Sequence, residues 1–369
     1  MRSSDARRVA VAVSGGMDSL LALALLKEQG HDVLAVHGLF LPDARADSPA
    51  VLGIADRCAE LGVEFRVLDL RREFRARVTD VFAGEYRAGR TPNPCALCNP
   101  RIKFGALFDA ARAFGAGAVA TGHYARLDPA MEYVSGPLLL RGVDPVKDQS
   151  YFLALLPPEV LRQTLFPLGG LCKRDVPAEL ALRGLTPPLS GESQEICFIP
   201  DDDYRAWLLA NAPDLPGGGP MLVRGVDGSK REVGRHDGLW RHTQGQRRGL
   251  GVAWSEPLYV LEKDTARNAL ILGTREQGLC TTCETGRANL FVAAEKWPER
   301  LLAQTRYRQN AEPVQACLVA GRLRLRFLQP HDRPAPGQVA ALYDEQGRVL
   351  AGGVLERVWD QGRAAATGR

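Results

Sequence analysis

Three short stretches carry residue types able to do chemistry. The first, Ser14-Gly15-Gly16-Met17-Asp18-Ser19, follows the apolar run RVAVAV at residues 8–13 and opens the Leu/Ala-rich segment 19–29. A strand that turns through two glycines into a helix N-terminus is suited to holding phosphate. Gly15 and Gly16 admit close backbone approach, Ser14, Ser19 and backbone N–H groups donate hydrogen bonds, and the helix dipole favours negative charge. Asp18 would repel a bare phosphate, so its presence points to a magnesium ion beside the anion. The spacing lacks the Gly-Lys-Ser/Thr of a Walker A loop.

The second stretch, TPNPCALCNPRIKF (residues 91–104), pairs Cys95 with Cys98. Such a pair is half of a zinc site, a redox dithiol, part of an iron–sulfur site, or a nucleophile with an idle neighbour. Arg101, Lys103 and the start of the adjoining helix favour a thiolate at Cys98. In the third stretch, ICFIPDDDY (residues 196–204), the acidic neighbours of Cys197 oppose ionisation. A second Cys-x-x-Cys, Cys280 with Cys283, lies in a β-type segment, and a joint zinc site would need the two pairs to converge across a domain boundary. Cys58, Cys172 and Cys317 sit in apolar patterns and read as small buried hydrophobes.

Strands are expected at residues 8–13, 32–40, 64–70 and 118–121, interleaved with helices at 19–29, 49–61, 73–88 and 102–114. Ser48-Pro49 reads as an N-cap with proline at the first helical position. The alternation predicts an α/β unit with a parallel sheet covered on both faces. From about 157 to 210 the pattern is mostly helical. NAPDLPGGGP (211–220) is a linker, and short turn-punctuated β segments follow it. The expected domains are therefore 1–210, a small β-rich unit at 211–280, and a β-barrel-like unit at 281–369.

With 369 residues, 45% hydrophobic and 24% charged, the chain has an ordinary globular profile. No apolar run suits a membrane span, and residues 1–8 lack an apolar signal region, so a cytoplasmic location without a membrane partner is expected. Eight cysteines in that setting are no disulfide framework, and the formal charge of +4 permits an anionic partner without demanding one.

The phosphate loop resembles that of the PP-loop ATP pyrophosphatases, and the likeness extends over about residues 8–125, to ATGHY. A narrower resemblance covers most of the chain. SGGMDS, GRTPNPCALCNPRIKF, ATGHYAR, LLRGVDPVKDQSYFL, ICFI, HTQGQRRGLG, TRYRQ and PGQVAALYD occur in the order and context of the bacterial tRNA-specific 2-thiouridylase family. Eight ordered blocks are far more specific than any one of them.

The resemblance implies that ATP adenylates the C2 oxygen of the wobble uridine in the anticodon stem-loop of tRNA. Sulfur then arrives from a persulfide on Cys197, loaded by a cysteine desulfurase or sulfur-relay protein. Cys98 is implied as the second thiol, which attacks the persulfide or assists transfer and ends in a Cys98–Cys197 disulfide. ATP would be held by Ala12, Val13, Ser14, Gly15, Gly16, Met17, Asp18 and Ser19, with Gly122 beside it. Gly38 stands where the family often has a larger apolar residue near adenine.

Implied contacts to the target base are Asn93, Pro94 and Cys95. Those to the rest of the tRNA are His123, Lys147, Asp148, Gln149, Tyr307, Arg308 and Gln338. The basic, glycine-rich segment at 241–251 lets backbone approach RNA. Cys95 departs from the family, where many members have an acid. Cys95, Cys98 and Cys197 together would suit a [4Fe-4S] cluster that binds sulfide, so persulfide and cluster mechanisms both stand at this point. A PP-loop amide synthetase would leave the two thiols and the basic segments without a task. A zinc-stabilised RNA-binding protein is the remaining alternative.

Overall fold

A computed structural model describes residues 7–129, 136–189 and 196–360. Strands β1 (Arg8–Ala12), β2 (Val33–Leu39), β3 (Glu64–Asp69) and β4 (Ala116–Ala120) lie parallel. A hairpin of β5 (Ala125–Asp128) and β6 (Leu138–Arg141) precedes β7 (Thr164–Leu165), which completes a sheet of order β3-β2-β1-β4-β7. Val9–Val11 and Val33–Val36 are buried without alternation, as strands covered on both faces must be. Helix α1 (Met17–Glu28) is buried nearly all round because it packs between the sheet and the helix Val176–Leu182. Helix α2 (Pro49–Glu60) starts as expected, with the Ser48 hydroxyl accepting from the Val51 amide at 3.4 Å.

Two expectations change. Helix α3 covers residues 71–87, close to the span expected, but α4 runs over 94–112 and so begins eight residues before the expected start. Asn93 caps it, accepting from the Ala96 amide at 3.1 Å, and Pro94 takes the first helical position. Pro100 reads as a breaker in sequence. The helix instead passes it through a wide π-helical turn, Asn99–Ala106, with non-helical dihedrals at Gly105. Among its described residues the region 157–210 is less helical than expected: its α-helices Pro158–Leu161, Val176–Leu182 and Tyr204–Asn211 are short, and β7 lies between the first two.

Beyond Asn211, β8 (Gly219–Arg224), β9 (Lys230–His236), β10 (Tyr259–Asp264) and β11 (Ala269–Gly273) make a four-stranded sheet of order β10-β11-β8-β9. The last unit comprises β12 (Leu279–Arg287), β13 (Asn289–Leu290), β14 (Leu301–Gln304), β15 (Glu312–Val319), β16 (Arg322–Asp332), β17 (Val339–Tyr343) and β18 (Val349–Asp360). Pairing of β12 with both β16 and β18 closes six of these strands into a barrel, which leaves them no free edge. One apolar core runs from Leu34 and Leu107 of the α/β unit through Leu139 and Tyr151 to Leu323 and Leu342 of the barrel. The barrel is thus packed onto the face that carries α4. Among the described residues no helix is long and apolar enough to cross a membrane.

Candidate active site

The phosphate loop forms at the carboxyl end of β1. Gly15 has φ +88°, in the region that favours glycine, and a Cβ there would lie 3.1 Å from Leu189 Cδ1 and 3.3 Å from Ile54 Cδ1. Ser19 anchors the turn: its hydroxyl accepts from the Ser14 amide at 3.1 Å and donates to the Gly16 carbonyl at 3.0 Å. Gly16 caps α1 without a side chain, which leaves the first helical turn clear for an anion. Ala12 and Val13 support this turn from behind. Val13 donates to Val36 O at 2.9 Å, and its carbonyl meets the ring of His37 at 2.8 Å.

Gly122 packs against the start of α1, where a Cβ would meet the Asp18 backbone and side chain at 3.0–3.1 Å. Asp18 itself accepts from Lys173 Nζ and Tyr124 Oη, each at 2.7 Å. Lys173 therefore supplies beside Asp18 a positive charge that the sequence led us to assign to a metal. Magnesium usually takes one or two carboxylates together with substrate phosphates. Asp18 and the exposed Ser14 fit that part, with Lys173 as a competitor for the carboxylate. At Gly38 the expected ATP contact changes character: the Phe40 ring occupies the space a side chain would fill, 2.5 Å from a Cβ. Phe40 then stacks on Phe74 at 5.2 Å.

The three thiols converge, and the π turn that follows Cys98 brings Lys103 to them. In an ideal α-helix Lys103 would lie about 140° around the axis from Cys98. The wider turn brings residues five apart onto one face, so Cys95, Cys98 and Lys103 face the same way. Cys197 comes from a separate segment, fixed by Phe198, which packs against Phe74 (5.8 Å), Phe82 (5.2 Å) and Trp207 (5.2 Å). Arg101 is not part of the group, since its guanidinium donates to Arg77 O at 2.9 Å. Of the acidic run after Cys197, Asp203 caps the helix Tyr204–Asn211. The residues immediately before Ile196 lie outside the described residues.

Burial pushes the Cys98 thiol up to about 12, against the pull of Lys103, and Cys197 and Cys95 push it further. Cys95 and Cys197 are raised as well, by burial first, with Lys103 again opposing. Both side chains reach solvent, yet the packed chain around their sulfurs still disfavours charge. Burial therefore opposes the thiolate expected at Cys98, and Lys103 is the charge that favours it. Arg101 is displaced, and Cys98 lies a full turn inside α4 rather than at its N-terminus. Replacing Lys103 by methionine removes the charge that favours ionisation. Alkylation of Cys98 by iodoacetamide at fixed pH, read by peptide mass spectrometry, is expected to slow by about tenfold, with arginine restoring most of the rate. Superimposable rate–pH profiles would exclude this role for Lys103.

Several of the residues expected at RNA have partners within the chain. Asn93 and Pro94 are buried at the start of α4, which leaves Cys95 as the exposed member of the expected target-base trio. His123 is buried beside Phe104 and Phe166, bonded to Thr121 Oγ1 at 2.7 Å; burial, and then Lys103, hold its pKa well below the usual value. Asp148 is buried and accepts from Arg141, the Gly142 and Ser150 amides and the Ser150 hydroxyl. Gln149 accepts from the Tyr124 amide at 3.0 Å. Lys147 is half-buried, Tyr307 packs on Phe152 at 4.4 Å, and Arg308 is exposed with its guanidinium 5.3 Å over the Tyr307 ring. Arg247 and Arg248 of the basic segment are exposed. Gln338 donates to the backbone of residues 91 and 92.

Of the remaining cysteines, Cys58, Cys280 and Cys283 are buried, but Cys172 is only half-buried and Cys317 is exposed on the outer face of β15. Among the described residues no group of three or more His, Cys, Asp or Glu side chains is gathered as metal ligands. The thiols at Cys95, Cys98 and Cys197 therefore do not fit a [4Fe-4S] site in this arrangement, and the two Cys-x-x-Cys pairs do not fit a joint zinc site. Lys173, Tyr124 and Tyr151 are the site's unforeseen members. Tyr124 and Tyr151 lie in quoted motifs, but Lys173 belongs to none.

A parallel sheet whose first strand runs through Ser-Gly-Gly-x-Asp-Ser into a helix defines a PP-loop nucleotide-binding unit, joined here to a closed barrel. Family models match in that order: a tRNA methyl transferase HUP domain over residues 7–201, a tRNA methyl transferase PRC-barrel domain over 223–274 and an aminomethyltransferase beta-barrel domain over 281–355. The chain belongs to the tRNA-specific 2-thiouridylase family. It is 52% identical to tRNA-specific 2-thiouridylase MnmA of Oleidesulfovibrio alaskensis, over 95% of this chain and 99% of that one. The corresponding protein of Nitratidesulfovibrio vulgaris strain Miyazaki F is 50% identical, over 94% and 99%. That of Lawsonia intracellularis is 45% identical, over 94% and 98%.

Proposed function

We propose that this protein uses ATP to convert the wobble uridine of tRNA to 2-thiouridine. The observation that carries the reading is the convergence of Cys98 and Cys197, from distant segments, within the α/β unit that also holds the phosphate loop. A urea-type carbonyl is a poor electrophile, so activation must precede attack by sulfur. The C2 oxygen attacks the α-phosphorus of ATP and pyrophosphate leaves, with Ser14–Ser19 holding the phosphates; Asp18 would hold magnesium. Magnesium would neutralise phosphate charge there.

The terminal sulfur of a Cys197 persulfide then attacks C2 and AMP departs with the former C2 oxygen. A Cys98 thiolate attacks the Cys197 sulfur, which releases the carbon-bound sulfur as the 2-thio group and leaves a Cys98–Cys197 disulfide. Two electrons from a cellular dithiol reset the pair. A cysteine desulfurase or relay protein would load Cys197. Residues 1–210 form the catalytic unit in this reading, 211–280 the small β unit and 281–369 the barrel, with Lys147 of the catalytic unit and Tyr307 and Arg308 of the barrel as RNA contacts.

The test is thiolation of an unmodified tRNA transcript with ATP, magnesium and a desulfurase-fed persulfide, read by nucleoside mass spectrometry. Pyrophosphate release that does not depend on tRNA would overturn the reading. Cys95→Ala is expected to retain measurable thiolation, because the persulfide route uses only the other two thiols. Complete loss in Cys95→Ala, together with stoichiometric iron in anaerobically purified protein, would instead favour a cluster.

A further inference from the structure

The helix that presents Cys95 and Cys98 begins in a segment with few ways to hold itself. Pro92 and Pro94 have no N–H, so between residues 91 and 94 only Thr91 and Asn93 can donate from the backbone. Both donations go to the barrel: Thr91 N to Pro336 O at 2.8 Å and Asn93 N to Gly337 O at 3.3 Å. The acceptors are matched in the opposite direction. The side-chain amide of Gln338 donates to Thr91 O at 2.8 Å and to Pro92 O at 3.3 Å, which occupies both of its hydrogens.

Gly337 makes the approach feasible. Its φ is +96°, and a Cβ there would lie 2.8–3.1 Å from the backbone of Thr91. The turn is itself tied into the barrel, since Gly337 N donates to Leu355 O at 2.8 Å and Leu355 N to Gln338 O at 2.7 Å. One residue further on, Tyr151 Oη donates to Val339 O at 3.0 Å, and the same phenol bonds the side chain of Asn93. Asn93 is the residue whose side chain caps α4. The start of the thiol-bearing helix is thus held from the barrel by backbone, side chain and cap together.

We propose that the Pro336–Gly337–Gln338 turn is a positioning clamp through which the barrel sets the placement of α4, with Gln338 as a positioning residue for Cys98. The effect on turnover rests on the thiolation reading; the clamp itself does not. A barrel that engages RNA and holds this turn makes the position of the thiols depend on how the RNA is seated.

The test compares unaltered protein with Gln338→Ala and, as a second variant, Gly337→Ala. Amide hydrogen exchange of peptides spanning residues 91–98, without ATP or tRNA, is expected to speed up by about tenfold, while peptides from residues 339–355 keep their protection. In thiolation assays the clamp predicts a fall in kcat of about tenfold or more with tRNA Kd unchanged. If Gln338 is instead an RNA contact, tRNA Kd rises, kcat recovers at saturating tRNA, and exchange at 91–98 stays as in the unaltered protein. That outcome overturns the proposal. Because exchange is read without any reaction, it decides the clamp even if the thiolation reading fails.

Discussion

Cys98→Ser and Cys197→Ser each abolish 2-thiouridine formation, with losses of about a thousandfold or more expected because each removes a sulfur that changes bonding partners. Serine is nearly the same size, so packing of residue 98 against the apolar cluster of Phe74, Ile102 and Phe198 is kept. ATP binding is expected to survive, since neither thiol belongs to the loop at residues 14–19. The two variants stall at different points. Without Cys197 no sulfur is loaded, and adenylated tRNA hydrolyses or accumulates. Without Cys98, sulfur reaches C2 but stays bonded to Cys197, so a covalent tRNA–protein adduct accumulates and is released by dithiothreitol. Non-reducing gels with labelled tRNA distinguish the two. An adduct on Cys197→Ser rather than Cys98→Ser would reverse the roles, and product at the unaltered rate from either variant would remove that thiol from the mechanism.

Gly15→Ala is expected to lower tRNA-dependent pyrophosphate release by about a hundredfold and to raise the ATP concentration needed for half-maximal rate. The left-handed conformation at φ +88° costs a residue with a Cβ about 1–2 kcal/mol. The added carbon also crowds Leu189 and Ile54, and the Leu189 amide donates to Gly15 O at 3.1 Å. The turn must shift, and with it the amides aimed at the phosphates. Preorganised donors lose much of their effect when displaced by a fraction of an ångström. The global fold is expected to remain, because the core of the sheet lies on Val9–Val11 and Val33–Val36 rather than on the loop. An unchanged ATP requirement would show that the loop does not hold the nucleotide.

The phosphate loop was legible because its geometry is local. Glycine at a left-handed position, a serine that bridges its ends and a helix start all lie within six consecutive residues. Ser48-Pro49 was legible for the same reason. Asn93-Pro94 carries the identical signal, but Pro100 and Gly105 masked it, because a helix interrupted by proline normally ends there. That the chain continues through a π turn follows from burial of Phe104 and Leu107 against the sheet and barrel and of Ile102 against Phe74 and Phe82, which local propensity does not encode.

For polar residues the sequence does not show the partners within the chain. Asp148, Gln149, His123, Asn93 and Gln338 have the composition of an RNA surface, but their partners are other parts of this chain. A buried polar group must be satisfied, as neighbours in sequence do for Asp148 and His123, whereas Gln149 and Gln338 bond segments far apart in sequence. Cys317 is the converse case: its neighbours look apolar, yet alternation along β15 turns it outward.

By itself the sequence determined the α/β class, the barrel, the nucleotide loop and the pair of thiols, because short-range periodicity, turn chemistry and ordered motifs specify them. Only the tertiary structure decided that Lys103 rather than Arg101 faces the thiols and that Lys173 neutralises Asp18. It also decided that Phe40 fills the space at Gly38 and that the barrel holds the start of α4. Each of these depends on where packing places a side chain in three dimensions, and that is a property of the whole core rather than of any segment.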